Sequence, residues 1–305
     1  IIHATPENFH KFYQLGKRNI GYCTWETSKL PHHRITQCNM MQEIWVPSQY
    51  NLDVFKNSGV TVPIKILPHV APIELFQKPA IKVNLPLEDI YLFYSIFQWS
   101  ARKNPEALLR AYMTAFTSDD KVCLVLKTYI INGSLQEQAS VSNMIRKIKQ
   151  DLGMPNPPKL FLITDMLSNE EIKALHHQCD CYVSSHRAEG WGLPITEAMA
   201  AGKPVIATGY SGNLDFMNDE IGYLVPYQMT LVYGMSFMSS FQSLYNGSQE
   251  WADISTIELR NRMREVFYNQ LTAKSRGELS KFSLQKKYNP QAIGNIIQSL
   301  LLEEG

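Results

Sequence analysis

The residues with the most chemical content lie in one stretch, Ser184-Ser185-His186-Arg187-Ala188-Glu189-Gly190-Trp191-Gly192-Leu193-Pro194-Ile195-Thr196-Glu197-Ala198-Met199-Ala200-Ala201-Gly202-Lys203-Pro204-Val205-Ile206-Ala207. Two glutamates, Glu189 and Glu197, stand eight positions apart around Gly190 and Gly192. A carboxylate offers two coplanar acceptor oxygens and so suits paired sugar hydroxyls. Glycines at 190 and 192 let the backbone pass close to a ligand. Pro194 suits a first helical turn, where its missing N–H is no loss. The free amides of such a helix start attract phosphate. Carboxylate, phosphate cradle, carboxylate is the order needed to hold a hexose, a diphosphate and a ribose. The plainer alternative makes Glu189 a solvated loop residue and Glu197 a partner of the helix dipole. That reading leaves the glycine-bracketed composition of the turn without a reason.

Around this turn the pattern is strand, turn, helix, tight glycine stop, strand. The same alternation of short apolar runs and amphipathic stretches fills most of the chain, as in strand-helix repetition with parallel sheets. In the first part, 19–23, 43–46 and 63–67 read as strands, and 34–41 and 49–58 as helices, the second stopped by Gly59. Pro63, Pro68, Pro72, Pro79 and Pro86 crowd the segment 72–88 and its approach, which reads as a linker between domains. Beyond it, 91–97, 122–127, 160–164, 181–184, 204–207 and 223–225 read as strands. Helices are expected at 105–116, 135–152, 170–178, 194–201, 257–271 and 290–302. In an open parallel sheet, ligands sit outside the carboxyl ends of the strands, where the 189–193 turn falls.

With 305 residues, two domains are the first expectation. Hydrophobic residues make up 45% and charged residues 19%, so a large core needs no disulfide or metal. A formal net charge of +1 excludes a general nucleic-acid binder while allowing a local anion site. Cys23, Cys38, Cys123, Cys179 and Cys181 are odd in number and sit mostly in apolar runs, as buried thiols of a reducing compartment do. Sequons at Asn132 and Asn246 carry no weight without a secretory signal. No apolar run is long enough to span a bilayer, and the expected location is cytoplasmic. His176, His177, Cys179 and Cys181 have the wrong spacing for a zinc module, and no Asp-x-Asp occurs, so no metal is expected. The chain opens on Ile1-Ile2-His3, and residues missing upstream are expected.

The 184–207 stretch resembles the donor-binding signature of the family 4 glycosyltransferases. The continuation Thr208-Gly209-Tyr210-Ser211-Gly212-Asn213-Leu214-Asp215-Phe216-Met217 resembles the same family, as do Gly21-Tyr22-Cys23-Thr24-Trp25-Glu26-Thr27 and Ile44-Trp45-Val46-Pro47-Ser48 in the first part. The resemblance covers nearly the whole chain. It implies the GT-B fold, an α/β architecture of two facing Rossmann-like domains with parallel sheets, the first incomplete. By the same resemblance residues 1–85 are a partial acceptor-side domain, 86–285 a nucleotide-sugar donor domain, and 286–305 a final helix packing back on the first. The implied activity is metal-independent transfer of a hexose, with retention, from a UDP- or GDP-hexose to a glycan, lipid or protein hydroxyl. No further cofactor is implied, and peripheral membrane contact is compatible with it.

Relatives carry an arginine several residues before a lysine to neutralise the leaving diphosphate. Here the basic pair is adjacent, in Phe97-Gln98-Trp99-Ser100-Ala101-Arg102-Lys103-Asn104. Lys103 matches the family lysine, and Arg102 either substitutes for the arginine or faces solvent. Lys127 is a further phosphate candidate, with a snorkelling strand-end lysine as its alternative. The implied donor site is Arg102, Lys103, Lys127, Glu189, Gly190, Trp191, Gly192, Leu193 and Glu197, with Glu189 and Lys103 at the reacting centre. Glu26 and His3 are the acceptor-side candidates, Glu26 with a surface salt bridge as its alternative. Competing readings are a GT-B hydrolase or epimerase and a non-catalytic nucleotide-sugar binding module. A nicotinamide dehydrogenase lacks its Gly-x-Gly-x-x-Gly turn.

Overall fold

The central strands of this chain are buried and largely apolar on both faces, which is what parallel sheets covered by helices on both sides require. The computed structural model describes residues 1–76, 81–85, 88–235, 244, 245 and 247–302. The first part runs β1 (Ile2–His3), α1 (Phe9–Phe12), β2 (Ile20–Tyr22), α2 (His32–Asn39), β3 (Glu43–Val46), α3 (Gln49–Ser58) and β4 (Ile64–Ile66). Its four strands pair in parallel in the order β1-β2-β3-β4. All four residues of β3 are buried. Ser48 caps α3 by accepting from the Asn51 amide at 3.2 Å, and Gly59 ends that helix at φ 106°.

The second part runs β5 (Tyr91–Gln98), α4 (Pro105–Ala115), β6 (Val122–Tyr129), α5 (Leu135–Leu152), β7 (Lys159–Ile163), α6 (Asn169–Gln178), β8 (Cys181–Ser184), α7 (Leu193–Ala200), β9 (Val205–Thr208) and β10 (Tyr223–Val225). Its six strands are parallel in the order β10-β9-β8-β5-β6-β7. The chain winds outward from β5 to β7, then returns to lay β8 against the other side of β5. The strand order therefore reverses between β5 and β8, and in open parallel sheets the carboxyl ends at such a reversal are where ligands bind. A hairpin of β11 (Tyr227–Leu231) and β12 (Glu250–Ile254) follows, then α8 (Thr256–Tyr268), α9 (Gln270–Lys287) and α10 (Pro290–Leu302).

Several expectations change. A fourth strand, β1, joins the three expected in the first part. The expected helix 257–271 breaks at Asn269, and a second long helix, α9, continues to Lys287. The β11–β12 hairpin has no counterpart in the sequence reading. The expected linker is not free: Ile73 and Phe76 are buried, and the Ala71 amide donates to the Tyr288 carbonyl at 2.8 Å. Pro79, Pro86 and Asn246 lie outside the described residues, and so does the first residue of the expected donor domain. All five cysteines are buried and unpaired.

α10 returns to the first sheet, where Leu300 packs with Ile20, Tyr22 and Trp45. Arg18 donates to the carbonyls of Leu300 and Leu301 at 3.2 and 3.1 Å and to Glu43 at 2.6 Å. A cation at the carbonyl end of a helix is electrostatically favoured there.

α9 clamps the turn between α7 and β9. A Cβ at Gly277 would meet the Gly202 carbonyl oxygen at 2.4 Å and the Pro204 nitrogen at 2.7 Å, both backbone atoms that cannot swing aside. Gly277→Val is expected to destabilise the protein by about 1–3 kcal/mol, the usual penalty of overpacking. Urea denaturation measures it, and an unchanged midpoint would show that α9 does not sit against this turn.

Candidate active site

After β5 the chain turns through Ser100 to Lys103 and enters α4 at Asn104, which caps the helix at φ 51°. After β8 it runs from Ser185 to Gly192 and enters α7. These two segments flank the reversal point, and backbone contacts fix them to each other. Ser185 Oγ donates to the carbonyls of Lys103 and Asn104 at 3.0 and 2.9 Å, and the Arg187 amide donates to the Arg102 carbonyl at 2.7 Å.

Locked together in this way, the segments bring Arg102, Lys103 and Glu189 into contact. Lys103 Nζ donates to Glu189 Oε1. Arg102 Nη1 donates to Glu189 Oε2 at 3.1 Å and to the Ala188 carbonyl at 2.9 Å. From the other lobe, Glu26 Oε1 lies 3.6 Å from Arg102 Nη2. Glu189 is only 7% exposed. Burial alone would raise its pKa, but the charges of Lys103 and Arg102 outweigh burial and hold the carboxyl at about 2. Burial also works against the Arg102 guanidinium, and Glu26 and Glu189 outweigh it, so its pKa rises. Lys103 is drawn below the ordinary lysine range by burial, with Arg102 adding to the effect and Glu189 opposing it.

Of the two alternatives for Arg102, the solvent-facing one is overturned: the side chain is largely buried between two carboxylates. Glu26 does form an ion pair, but one that crosses between the lobes. Lys103 and Glu189, expected to face a diphosphate and a sugar separately, hold each other.

The next residue is a junction between lobes. The Gly190 carbonyl accepts from Ser48 Oγ at 2.8 Å and from Asn51 Nδ2 at 3.3 Å. Asn51 is fully buried, and its Oδ1 accepts from Thr24 Oγ1 at 2.9 Å and from the Trp25 amide at 2.7 Å. On the far side, the Glu189 amide donates to Ser211 Oγ at 2.8 Å and the Gly212 amide to the Glu189 carbonyl at 3.0 Å. A Cβ at Gly212 would lie 2.2 Å from the Gly190 oxygen, so only glycine permits this approach. Gly192 turns the chain into α7 at φ 103°. Among the described residues, the amides of Gly190, Trp191, Gly192 and Leu193 reach no protein acceptor. They are donors available to an anion at the helix start.

His186 stands behind the loop. Nε2 lies 3.1 Å from Asn213 Oδ1 and 3.2 Å from the Tyr210 carbonyl, both acceptors, and Nδ1 is 2.9 Å from Ser184 Oγ. Nε2 therefore carries the hydrogen and Nδ1 accepts from the serine. Burial pushes its pKa down to about 4, so the ring is neutral near pH 7. Ser48, Asn51, Ser211 and His186 carry no role in the sequence reading. The capping pattern at Ser48 marks a helix start, but nothing local shows that it faces Gly190.

The remaining candidates lie around the cluster. Trp191 is 4% exposed and wedged among His69, Phe216 and Tyr288 at 5.8, 4.8 and 5.4 Å, so its ring anchors the loop. Leu193 is exposed at the start of α7. Glu197 is half-buried, its Oε2 3.5 Å from His176 Nε2. His3 ends β1 edge-on to Tyr22 at 4.8 Å, and Tyr22 meets His69 at 5.8 Å, so a line of rings leads from His3 to Trp191. Lys127 is not brought to the cluster. It is buried in β6 with Nζ over the Tyr129 ring at 5.1 Å, and burial lowers its pKa. Among the described residues, no group of three or more His, Cys, Asp or Glu could hold a metal ion. No helix there is long and apolar enough to cross a membrane.

The alpha-monoglucosyldiacylglycerol synthase of Streptococcus pneumoniae is 28% identical over 182 residues, covering 55% of this chain and 38% of that protein. The chain thus spans well under half the length of this curated relative. HepE of Anabaena, solved in complex with UDP-glucose, superposes with a TM-score of 0.67 at 16% identity, over 92% of this chain and 71% of that one. Sucrose-phosphate synthase of Thermosynechococcus elongatus gives a TM-score of 0.69 at 16% identity, over 97% and 71%. The fold is GT-B. Residues 78–230, about half the chain, match the family model described as glycosyl transferases group 1. By that match, this chain belongs to the glycosyl transferases group 1 family.

Proposed function

We propose that the chain binds a nucleotide diphosphate hexose at the carboxyl ends of β5 and β8 and transfers the hexose to an acceptor hydroxyl with retention of configuration. The observation that carries this reading is the Glu189–Leu193 turn, with Arg102 and Lys103 gathered on it and four free amides at the start of α7. Glu197 takes the ribose diol. Arg102 and Lys103 take the diphosphate, exchanging Glu189 for phosphate oxygens, and the released carboxylate orients the hexose. Charge grows on the diphosphate as the glycosidic bond breaks, so cations already fixed in place lower the barrier. The acceptor oxygen attacks from the face the diphosphate leaves, and a departing phosphate oxygen takes its proton. No metal enters these steps.

HepE is described with UDP-glucose and the Streptococcus relative by a glucosyl lipid product, which favours a UDP-hexose donor and a glycan or lipid acceptor. GDP-hexose is the second donor to test, and a protein acceptor remains in the set. The proposed organisation is an acceptor-side lobe at 1–85 carrying His3 and Glu26, a donor lobe at 86–285, and the return helix at 286–305. Lys127, held over Tyr129, is left outside the reacting centre.

Calorimetric titration with UDP and GDP tests the donor site. One of them is expected to bind, and Glu197→Ala to weaken it by about tenfold or more, as loss of hydrogen bonds to a charged group does. Binding of neither nucleotide, or binding indifferent to Glu197→Ala, would sink the assignment.

Lys103→Met is expected to lower kcat by about 100–1000-fold, as removal of one oxyanion-stabilising donor does elsewhere. NMR of the product of the wild-type reaction, run with EDTA, gives the anomer. An inverted product, or activity abolished by EDTA, would refute the retaining, metal-free mechanism, and free hexose without acceptor product would favour a hydrolase.

A further inference from the structure

His176 lies beneath α7 with no exposed surface. Phe76 and Tyr94 stand edge-on to its ring at 5.3 Å each, and Tyr182 lies at 6.1 Å. The ring therefore has one orientation. Tyr94 OH is 2.7 Å from Nδ1, while Nε2 makes no hydrogen bond and points toward Glu197 Oε2 at 3.5 Å. A buried N–H left without a partner costs about 1–3 kcal/mol, so such a group in a folded core calls for an explanation. Two tautomers fit the Tyr94 contact. In one, Nδ1–H donates to the tyrosine and the bare Nε2 lone pair faces a carboxylate oxygen, which is repulsive. In the other, Tyr94 donates to Nδ1 and Nε2–H faces the carboxylate, which is attractive. Burial keeps the ring neutral, and the second tautomer is the one the surroundings favour.

We infer that His176 is a positioning residue for Glu197: its Nε2–H closes on Glu197 Oε2 when the carboxylate engages a ribose, leaving Oε1 and the outer lone pair of Oε2 for the two hydroxyls. This rests on the reading of Glu197 as the ribose contact. Glu197 is otherwise free to choose among rotamers, because its side chain is 32% exposed and makes no other side-chain hydrogen bond or ion pair among the described residues. A long side chain held in one rotamer before binding does not lose that freedom on binding. Tyr94 acts one step further back by fixing the tautomer. No proton moves along Tyr94, His176 and Glu197; the chain transmits orientation only.

The experiment is a double-mutant cycle read by calorimetry, with UDP and GDP as probes and the 2′-deoxy analogue of whichever binds. Glu197→Gln is expected to weaken the ribonucleotide by about tenfold and to erase its preference over the 2′-deoxy analogue. His176→Phe is expected to weaken the ribonucleotide severalfold, to leave the 2′-deoxy analogue less affected, and to have no further effect in a Glu197→Gln background. His176→Gln, whose amide reaches toward Glu197, is expected to recover part of the loss. If His176→Phe does not fold, Tyr94→Phe keeps both rings and enters the same cycle. Loss on Glu197→Gln with wild-type affinity in His176→Phe, or with losses that add in the double variant, overturns the inference and leaves the donor site standing. Affinity and ribose preference unchanged by Glu197→Gln, or binding of neither nucleotide, removes the donor-site reading and the inference with it.

Discussion

Glu189 is a carboxylate taken almost entirely out of water, ionised because two cations lie against it. Leaving such a group unpaired would cost about 3–5 kcal/mol, so the fold must deliver Arg102 and Lys103 to it accurately. Strand order does this. Because the chain leaves β5 in one direction and returns on its other side as β8, the loops that follow these two strands are neighbours despite more than eighty intervening residues. Ser185, bonded to the Lys103 and Asn104 carbonyls, then sets the loops at one separation. The ion cluster is thus a consequence of topology fixed by backbone hydrogen bonds, and the side chains have little freedom left to lose.

The same loop sets how the lobes meet. A backbone carbonyl, at Gly190, takes two donors from the first lobe, and Asn51 is held there by Trp25 and Thr24. Carbonyl recognition constrains position without constraining residue type, except where atoms come too close. Gly212 is such a place, with Gly190 oxygen occupying the volume a Cβ would need. Glu26 reaching Arg102 adds an electrostatic link across the same gap. Both lobes therefore bear on the Glu189 turn, and a shift of either would be felt there.

What was legible in the sequence was local. Glu189, Gly190, Gly192, Pro194 and Glu197 announce a turn and a helix start through their own conformational preferences, and the alternation of strands and helices announces parallel sheets. The pairing of Lys103 with Glu189 was not legible, because no local preference encodes a contact across the reversal of strand order. Helix α9 was missed for another reason. Its buried face is Ala273, Gly277, Ser280 and Leu284, small residues that let two backbones approach but do not form an apolar stripe. Phe76 misled in the opposite direction: proline-rich surroundings suggested a linker, whereas its ring covers His176 in the core.

Charge balance gives the site its selectivity on the proposed reading. Glu26 and Glu189 match Arg102 and Lys103 one for one, so the cluster presents no large excess of positive charge to attract anions at random. An incoming phosphate must displace Glu189 from its cations, and that displacement is more favourable when the freed carboxylate finds donors of its own. Free phosphate offers none, and a bare nucleotide gains instead from its ribose contact. A sugar attached to the diphosphate supplies hydroxyls on the side where Glu189 is released, so the two exchanges compensate each other only in a molecule that carries both groups. The lowered pKa of Glu189 fits this account, because Lys103 and Arg102 hold the carboxyl at about 2 while they lie against it, so it enters the exchange ionised, as an acceptor. Had the carboxyl been raised by burial alone, it would enter that exchange as a proton donor, and the coupling between phosphate binding and sugar binding would be lost.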